Sequence, residues 1–340
     1  MYKEFFGLQK MPFNLTPDPA FLFLPAKHRE ALAGLTYAVL ERKGFVVLSG
    51  DAGTGKTTLL SSVLNHLPAD RVQSSIILNP TLTTSEFLEI VLLDFGIEDV
   101  PLSKAQRLWR LQEFLLRVYR EGQLAILVVD EAHKLSLEVL EEIRLLGNFE
   151  YAADKFLQIV LSGQCELDDL LNQHELRQFK QRVALRLYID PLVASEVDAY
   201  IRFRWAKAGG TGAQPFASDA LRGIVQWSHG IPRLINSICD TALLMAYGEG
   251  SRTVGINFVR DAATNLALVD APCLPHPVVA AAPGRSDSGL KLVPMEVAAP
   301  TVPLPGLQPE AGNVTKLPFS SPRTNPSLLR RLAGKLGLPH

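Results

Sequence analysis

The sequence predicts an α/β protein: a parallel sheet wrapped by helices, then a small all-helical domain, then a long irregular tail. Three observations carry this. Short, continuously apolar runs alternate with helical patterns up to residue 192, as buried parallel strands and their crossover helices should. From 193 to 270 only helical segments remain, divided by Gly209-Gly210, Gly230 and Gly248. Residues 271–340 hold 13 of the 23 prolines and one aromatic, Phe319, so they have too little apolar surface to offset their ordering entropy.

The strand candidates, in order, are Phe45-Val-Val-Leu-Ser, Ser75-Ile-Ile-Leu-Asn, Leu124-Ala-Ile-Leu-Val-Val, Phe156-Leu-Gln-Ile-Val-Leu and a last one closing at Leu187-Tyr-Ile-Asp. Helices are expected over 56–67, 84–95, 103–121 and 135–148. The third places Leu108, Leu111, Leu115 and Val118 on one face, with Ser103 as its cap and Gly122 as its stop. Helices over 194–208, 217–228, 232–247 and 256–268 would form the second domain. The expected divisions are 1–44, a Phe/Pro-rich opening and helix that belong to the nucleotide-binding module; 45–192, the α/β core; 193–270, a helical lid; and 271–340, a disordered Pro-rich tail. Near the end, Leu328, Leu329, Leu332 and Leu336 would share one face of a short basic helix or belong to a frayed terminus.

Composition excludes several classes. The 34 Lys and Arg against 35 Asp and Glu argue against a general polyanion binder, though not against a local basic stripe. The longest apolar runs fall far short of the roughly 20 residues of a membrane span. The opening residues carry no apolar signal core, and Cys165, Cys239 and Cys273 have no metal-type spacing. Both point to a cytoplasmic protein with free thiols.

The strongest motif is Gly50-Asp51-Ala52-Gly53-Thr54-Gly55-Lys56-Thr57, followed by Thr58, between an apolar strand and a helix. Glycines at fixed spacing let successive backbone N–H groups and the helix N-terminus face phosphate oxygens. Lys56 would reach the β- and γ-phosphates and the Thr57 hydroxyl would ligate Mg²⁺. A dinucleotide site fits worse, because G-x-G-x-x-G is absent. The second motif is Asp130-Glu131-Ala-His133 at the end of the strand 124–129. Alone, the two acids fit the opening of the next helix equally well. Coupled to the phosphate loop, Asp130 is expected to hold Mg²⁺ and Glu131 to orient the attacking water. His133 is expected to support that carboxylate or to cap the helix.

These motifs lie in a chain that resembles the AAA+ P-loop ATPases of the ExeA, or general-secretion-pathway-A, type, which are similar to the transposition ATPases MuB, TniB and TnsC. The resemblance covers roughly 1–268. It includes Tyr2…Phe5-Phe6-Gly7-Leu8…Pro12-Phe13…Thr16-Pro17-Asp18-Pro19…Phe21-Leu22, then His28…Glu30-Ala31-Leu32, Ile159-Val160-Leu161-Ser162-Gly163-Gln164, Gln181-Arg182-Val183 and Gly230-Ile231-Pro232-Arg233-Leu234-Ile235-Asn236. The Phe/Pro-rich opening would fold over an adenine ring or pack against the sheet edge. The resemblance implies that Gln164, or else Ser162, senses the γ-phosphate and that Arg233 clamps it from the lid. It also implies that Arg182 is a finger reaching the next subunit, unless it belongs with Arg177 and Arg186 to a solvated basic face.

The activity so implied is hydrolysis of ATP with Mg²⁺, driving assembly of a homo-oligomeric ring or filament or remodelling of a partner. The expected setting is secretion or envelope and exopolysaccharide assembly, in the cytoplasm or peripherally at the inner membrane. A transposition-type regulator that binds DNA and a transposase, and a nucleotide-dependent scaffold, are the alternatives. Relatives of the secretion type often continue into a membrane span and a peptidoglycan-binding domain, whose place the Pro-rich tail takes here, and Cys165 stands where a proline is common.

Overall fold

The computed structural model describes residues 2–268, except 17, 69, 102 and 152–153. The tail, its short basic helix and Cys273 lie outside the described residues.

Among the described residues there are seven strands: β1 (Phe45–Gly50), β2 (Val72–Ile77), β3 (Leu124–Val129), β4 (Glu150–Tyr151), β5 (Asp154–Lys155), β6 (Leu157–Ser162) and β7 (Val183–Ile189). Five of them form one parallel sheet in the order β2-β3-β6-β1-β7. The central strands β1 and β6 are buried at all six positions, which is why their sequences are continuously apolar rather than alternating. The last strand alternates exposed and half-buried positions because it forms an edge. The small antiparallel hairpin β4–β5 has no counterpart among the sequence expectations; two-residue strands are too short to leave a periodic signal.

Twelve α-helices surround the sheet and build the lid among the described residues. They are α1 (Tyr2–Phe5), α2 (Ala26–Leu40), α3 (Lys56–His66), α4 (Thr84–Asp94), α5 (Lys104–Arg120), α6 (Leu137–Leu146), α7 (Glu166–Leu171), α8 (Arg177–Lys180), α9 (Ala194–Lys207), α10 (Ser218–Ser228), α11 (Pro232–Gly248) and α12 (Ile256–Asn265). One face of the sheet packs on α4, α5 and α6 through Phe87, Leu115, Leu127, Ile143 and Ile159. The other packs on α2 and α3 through Leu35, Leu48, Leu59, Val63 and Ile126. No described helix is long and apolar enough to cross a membrane.

One local expectation is corrected, and for the opening segment the sheet-edge alternative is set aside. Ser103 occupies the N-cap of α5, but its side chain makes no capping hydrogen bond; Thr83 of α4 does, in a reciprocal box with Glu86. The Phe/Pro-rich opening docks on the lid, because Tyr2, Leu8, Phe13 and Phe21 share a core with Tyr200, Trp205, Phe216, Ile235 and Leu243. The exposed edge β7 is instead backed by α2.

Candidate nucleotide-binding site

The glycine-rich loop leaves β1 at Gly50 and enters α3 at Lys56, so its backbone turns at the carboxyl ends of the strands. That is where the crevice of an open parallel sheet forms. Gly53 has φ of 82°, and a Cβ there would come 2.7 Å from Cβ of Arg233. A side chain is therefore excluded both by backbone conformation and by the close approach of α11. The amide of Arg233 donates to the carbonyl of Gly53 at 3.2 Å, which fixes the lid helix directly on the loop.

Lys56 is buried, and its Nζ donates to the carbonyls of Gly50 and Asp51, both at 2.8 Å. Burial pushes its ammonium pKa down, while Asp130 and Glu131 oppose that shift. Thr57 Oγ1 donates to Asp130 Oδ2 at 2.6 Å, although 73 residues separate them. This pair brings a hydroxyl and a carboxylate oxygen together beside the lysine. Such hard oxygen donors fit Mg²⁺, which takes one or two protein ligands and completes its octahedron with water and phosphate. No cluster of three or more His, Cys, Asp or Glu that would cage a metal occurs among the described residues.

Glu131 follows β3 with φ of 53°, a left-handed conformation costly for a residue with a Cβ. The turn sends its carboxylate back to the cavity, where Oε2 lies 3.5 Å from Gln164 Nε2 and 3.6 Å from both His133 Nε2 and Lys134 Nζ. Gln164, just beyond β6, thus touches the acid expected to orient water. Ser162 is fully buried in the strand with an unpartnered hydroxyl.

A cavity of about 450 Å³ gathers these groups. Of the residues expected from sequence, Ala52, Gly53, Thr54, Gly55, Lys56, Thr57, Thr58, Glu131, Gln164 and Arg233 line it. Gly50, Asp51 and Asp130 lie immediately behind, joined to it through Lys56 and Thr57. Arg233 is exposed, and its guanidinium has no partner among the described residues. Arg182 is not brought to this cavity. It precedes β7, at the opposite end of the sheet, where its Nη1 donates to the carbonyl of Arg144 at 2.9 Å and to Asn148 Oδ1 at 2.6 Å. Arg186 pairs with Asp168 at 3.0 Å, and Arg177 is exposed and unpaired among the described residues.

Sequence reasoning assigned no role to His28, Tyr200, Arg204 or Asn236, which also line the cavity. Buried Arg204 donates to the carbonyls of Pro12 and Asn14 and to the Tyr200 hydroxyl, which donates in turn to Asn236 Oδ1 at 2.9 Å. This chain ties the opening segment to α9 and α11. Helical spacing offered one clue: Asn236 stands one turn after Arg233.

A family described as AAA domain matches residues 39–171. General secretion pathway protein A of Aeromonas hydrophila is 42% identical over 258 residues, 75% of this chain and 46% of that protein. An uncharacterized HTH-type transcriptional regulator of Methanocaldococcus jannaschii is 26% identical over 168 residues, 48% of this chain and 40% of that protein. The chain thus spans less than half the length of either relative. Among solved structures, Cdc6p from Pyrobaculum aerophilum aligns with a TM-score of 0.57 at 18% identity, over 74% of this chain and 71% of that one. The Aeropyrum pernix ORC2 protein, in ADPNP–ADP complexes, aligns with a TM-score of 0.55 at 15% identity, over 73% and 72%. These likenesses concern the fold. Together with the sheet order and the loop between β1 and α3, they give the module the fold of the AAA+ P-loop class, and through this region the chain is similar to general secretion pathway protein A.

Proposed function

We propose that the module binds ATP with Mg²⁺, hydrolyses it to ADP and phosphate, and uses the cycle to change its own assembly or that of a partner in secretion or envelope biogenesis. The observation that carries the chemistry is the 2.6 Å contact between Thr57 and Asp130, in the company of Lys56 and Glu131 around one cavity. The backbone of residues 53–57 and the Lys56 ammonium would hold the phosphates. Thr57 and Asp130 would hold Mg²⁺, which supplies charge neutralisation on the β- and γ-oxygens when bound. Glu131, steadied by Gln164 and His133, would accept the proton of the attacking water. Arg233 would close on the γ-phosphate from the lid, where a fixed guanidinium fork suits phosphate oxygens.

The secretion setting rests on similarity to general secretion pathway protein A. Self-association belongs to the same proposal: a head-to-tail contact would let an arginine of one subunit complete the next subunit's site. Phosphate release and nucleotide binding test the reading. Lys56→Ala should weaken ATP binding. Glu131→Gln should keep binding and lower turnover by about 10²–10⁴-fold. Turnover of Glu131→Gln at the parental rate would remove Glu131 from its role.

A further inference from the structure

The opening segment is laced to the lid by its main chain, which leaves several of its side chains free for other work. The carbonyl of Ala208, just past α9, accepts from the amides of Gln9 and Lys10 at 2.8 and 3.1 Å. Arg204 donates to the carbonyls of Pro12 and Asn14 at 2.5 and 3.3 Å, and its guanidinium carbon lies 4.9 Å from the centroid of the Phe21 ring. Held in this way, the segment walls a second cavity of about 360 Å³, a size within the range of ligand sites. Lys3, Lys10 and Met11 line this cavity and not the nucleotide cavity. Asn14, Thr16, Asp18, Phe21 and Arg204 line both, so the two share a wall.

The charge of the second cavity is opposite to that of the body around it. Of its described lining residues, Lys3, Lys10 and Arg204 are cationic and Asp18 alone is acidic, whereas residues 1–270 hold 27 Lys and Arg against 32 Asp and Glu. Asp18 is engaged by its own turn, where Oδ1 accepts from the Ala20 amide at 2.9 Å. Arg204 meets only neutral acceptors, the two carbonyls and the Tyr200 hydroxyl. Neither Lys3 nor Lys10 forms an ion pair among the described residues. Two lysines without a carboxylate thus stand beside the apolar surface of Met11 and Phe21.

We propose that this second cavity docks an acidic segment of another protein, and that nucleotide controls the docking. An apolar side chain of the segment enters beside Met11 and Phe21, and flanking carboxylates pair with Lys3 and Lys10. The chain's own tail has the wrong sign for the site, since residues 271–340 hold seven Lys and Arg against three Asp and Glu. The control by nucleotide rests on the reading of the first cavity as a nucleotide site. A ligand in either cavity meets the same Phe21 and Arg204, and Arg204 is joined through the Tyr200 hydroxyl to Asn236 of α11. Such coupling is reciprocal: the factor by which ADP changes the affinity for the segment is the factor by which the segment changes the affinity for ADP.

Calorimetric titration of the full chain, with and without saturating ADP, tests the proposal. The probes are a peptide of glutamates flanking a central Leu-Phe, one with lysines in place of the glutamates, and one with Gly-Gly in place of Leu-Phe. The parent should bind the first at least about 10-fold more tightly than either of the others. ADP should change that affinity by about 5-fold or more, with the same factor appearing in the reverse titration. Lys3→Glu combined with Lys10→Glu should weaken the acidic peptide by about 10-fold or more. ADP affinity measured without peptide should be unchanged in that variant, because neither lysine lines the nucleotide cavity. Should the double variant not fold, Lys10→Glu alone, at an exposed position, should show part of the loss. No binding of the acidic peptide, equal binding of the acidic and basic peptides, or unchanged binding in the lysine variants overturns the proposal. So does acidic-peptide binding that ADP leaves unaltered in protein that binds ADP. Failure to bind ADP at all would be a failure of the nucleotide reading, and the peptide series would then decide the docking by itself. Two further results would replace the occupant and so overturn the assignment. Loss of self-association in the lysine variants, read by sedimentation velocity, would put a second copy in the cavity. Acidic-peptide binding that appears only after deletion of 271–340 would put the tail there.

Discussion

Phe13→Ala should destabilise the whole module, because the opening segment is part of the lid core. Phe13 is 0% exposed and sits in one cluster with Tyr2, Phe21, Trp205, Phe216 and Ile235. Its ring meets that of Phe216 edge-on, with centroids 6.0 Å apart. A fully buried phenylalanine removes roughly 150–250 Å² from water, which at about 25 cal/mol per Å² is ~4–6 kcal/mol as an upper bound. Measured Phe→Ala losses of about 3–5 kcal/mol bracket the expectation. For a module of this size, that lowers the melting temperature by roughly 6–12 °C. Urea and thermal unfolding measure the loss, and limited proteolysis of the first 25 residues reports whether the segment leaves its dock. Because the segment also lines the cavity, ADP affinity should fall in parallel. A loss below about 1 kcal/mol, with unchanged protease resistance, would refute the claim that this residue anchors the segment to the lid.

Two further outcomes follow from the same geometry. Burial raises the pKa of Asp240, although the hydrogen bond from the Tyr2 hydroxyl pulls it the other way. A carboxyl raised in the folded state contributes stability below its ordinary value of 3.8 and loses it as pH rises through the raised one. Asp240→Asn, which keeps an acceptor for Tyr2, should therefore be more stable than the parent at pH 7. Its advantage should vanish at or below about pH 4, and an equal difference in denaturant midpoint at both pH values would contradict this. The other outcome concerns arginines. Mixing Lys56→Ala with Arg182→Ala should restore some ATP hydrolysis if Arg182 reaches a neighbour's site, and mixing it with Arg177→Ala asks the same of the unpaired arginine. Recovery with only one of the two identifies the finger; none, despite co-assembly, leaves both as structural or surface residues.

The extent to which the sequence was readable follows the range of the interactions involved. Helix α5 was expected over 103–121 and occurs at Lys104–Arg120, because a helix records its packing face in its own 3.6-residue period. Strands β1, β3 and β6 were visible for a like reason: burial on both faces leaves an unbroken apolar run. The phosphate loop was legible because its chemistry is backbone geometry written in a few adjacent glycines. Edge strand β7 was less plain, since half its residues face solvent. The docking of the opening segment was not legible, because its anchors are distant: Arg204 donates to the carbonyl of Pro12 across 192 residues. Likewise the sequence places Arg182 just before the last strand, but only the fold reveals that Arg144 and Asn148 occupy its guanidinium.

The lid and the phosphate loop meet at two points where no side chain fits, and this bears on how a nucleotide would be felt across the module. At Gly53 the loop carries the amide of Arg233. At Gly230, with φ of 75°, a Cβ would lie 2.0 Å from the carbonyl oxygen of Leu192, and the Leu192 amide donates to the Gly230 carbonyl at 2.9 Å. Leu192 is the residue by which the chain leaves the α/β core for α9, while Gly230 opens the turn into α11. The start and the middle of the lid are therefore latched to each other, and the Gly53–Arg233 contact holds α11 on the loop that would cradle phosphate. A displacement of residues 53–55 on filling the site would be delivered to Arg233 and, one turn later, to Asn236. From Asn236 it passes through Tyr200 and Arg204 to Pro12 and Asn14. Backbone contacts too close for a side chain transmit such a shift with little slack, because close-packed groups yield by moving together rather than by deforming. The opening segment, lid and phosphate loop would accordingly respond to nucleotide as one unit. Coupling of that kind is what the proposed hydrolysis would need for its chemistry to reach a surface outside the cavity.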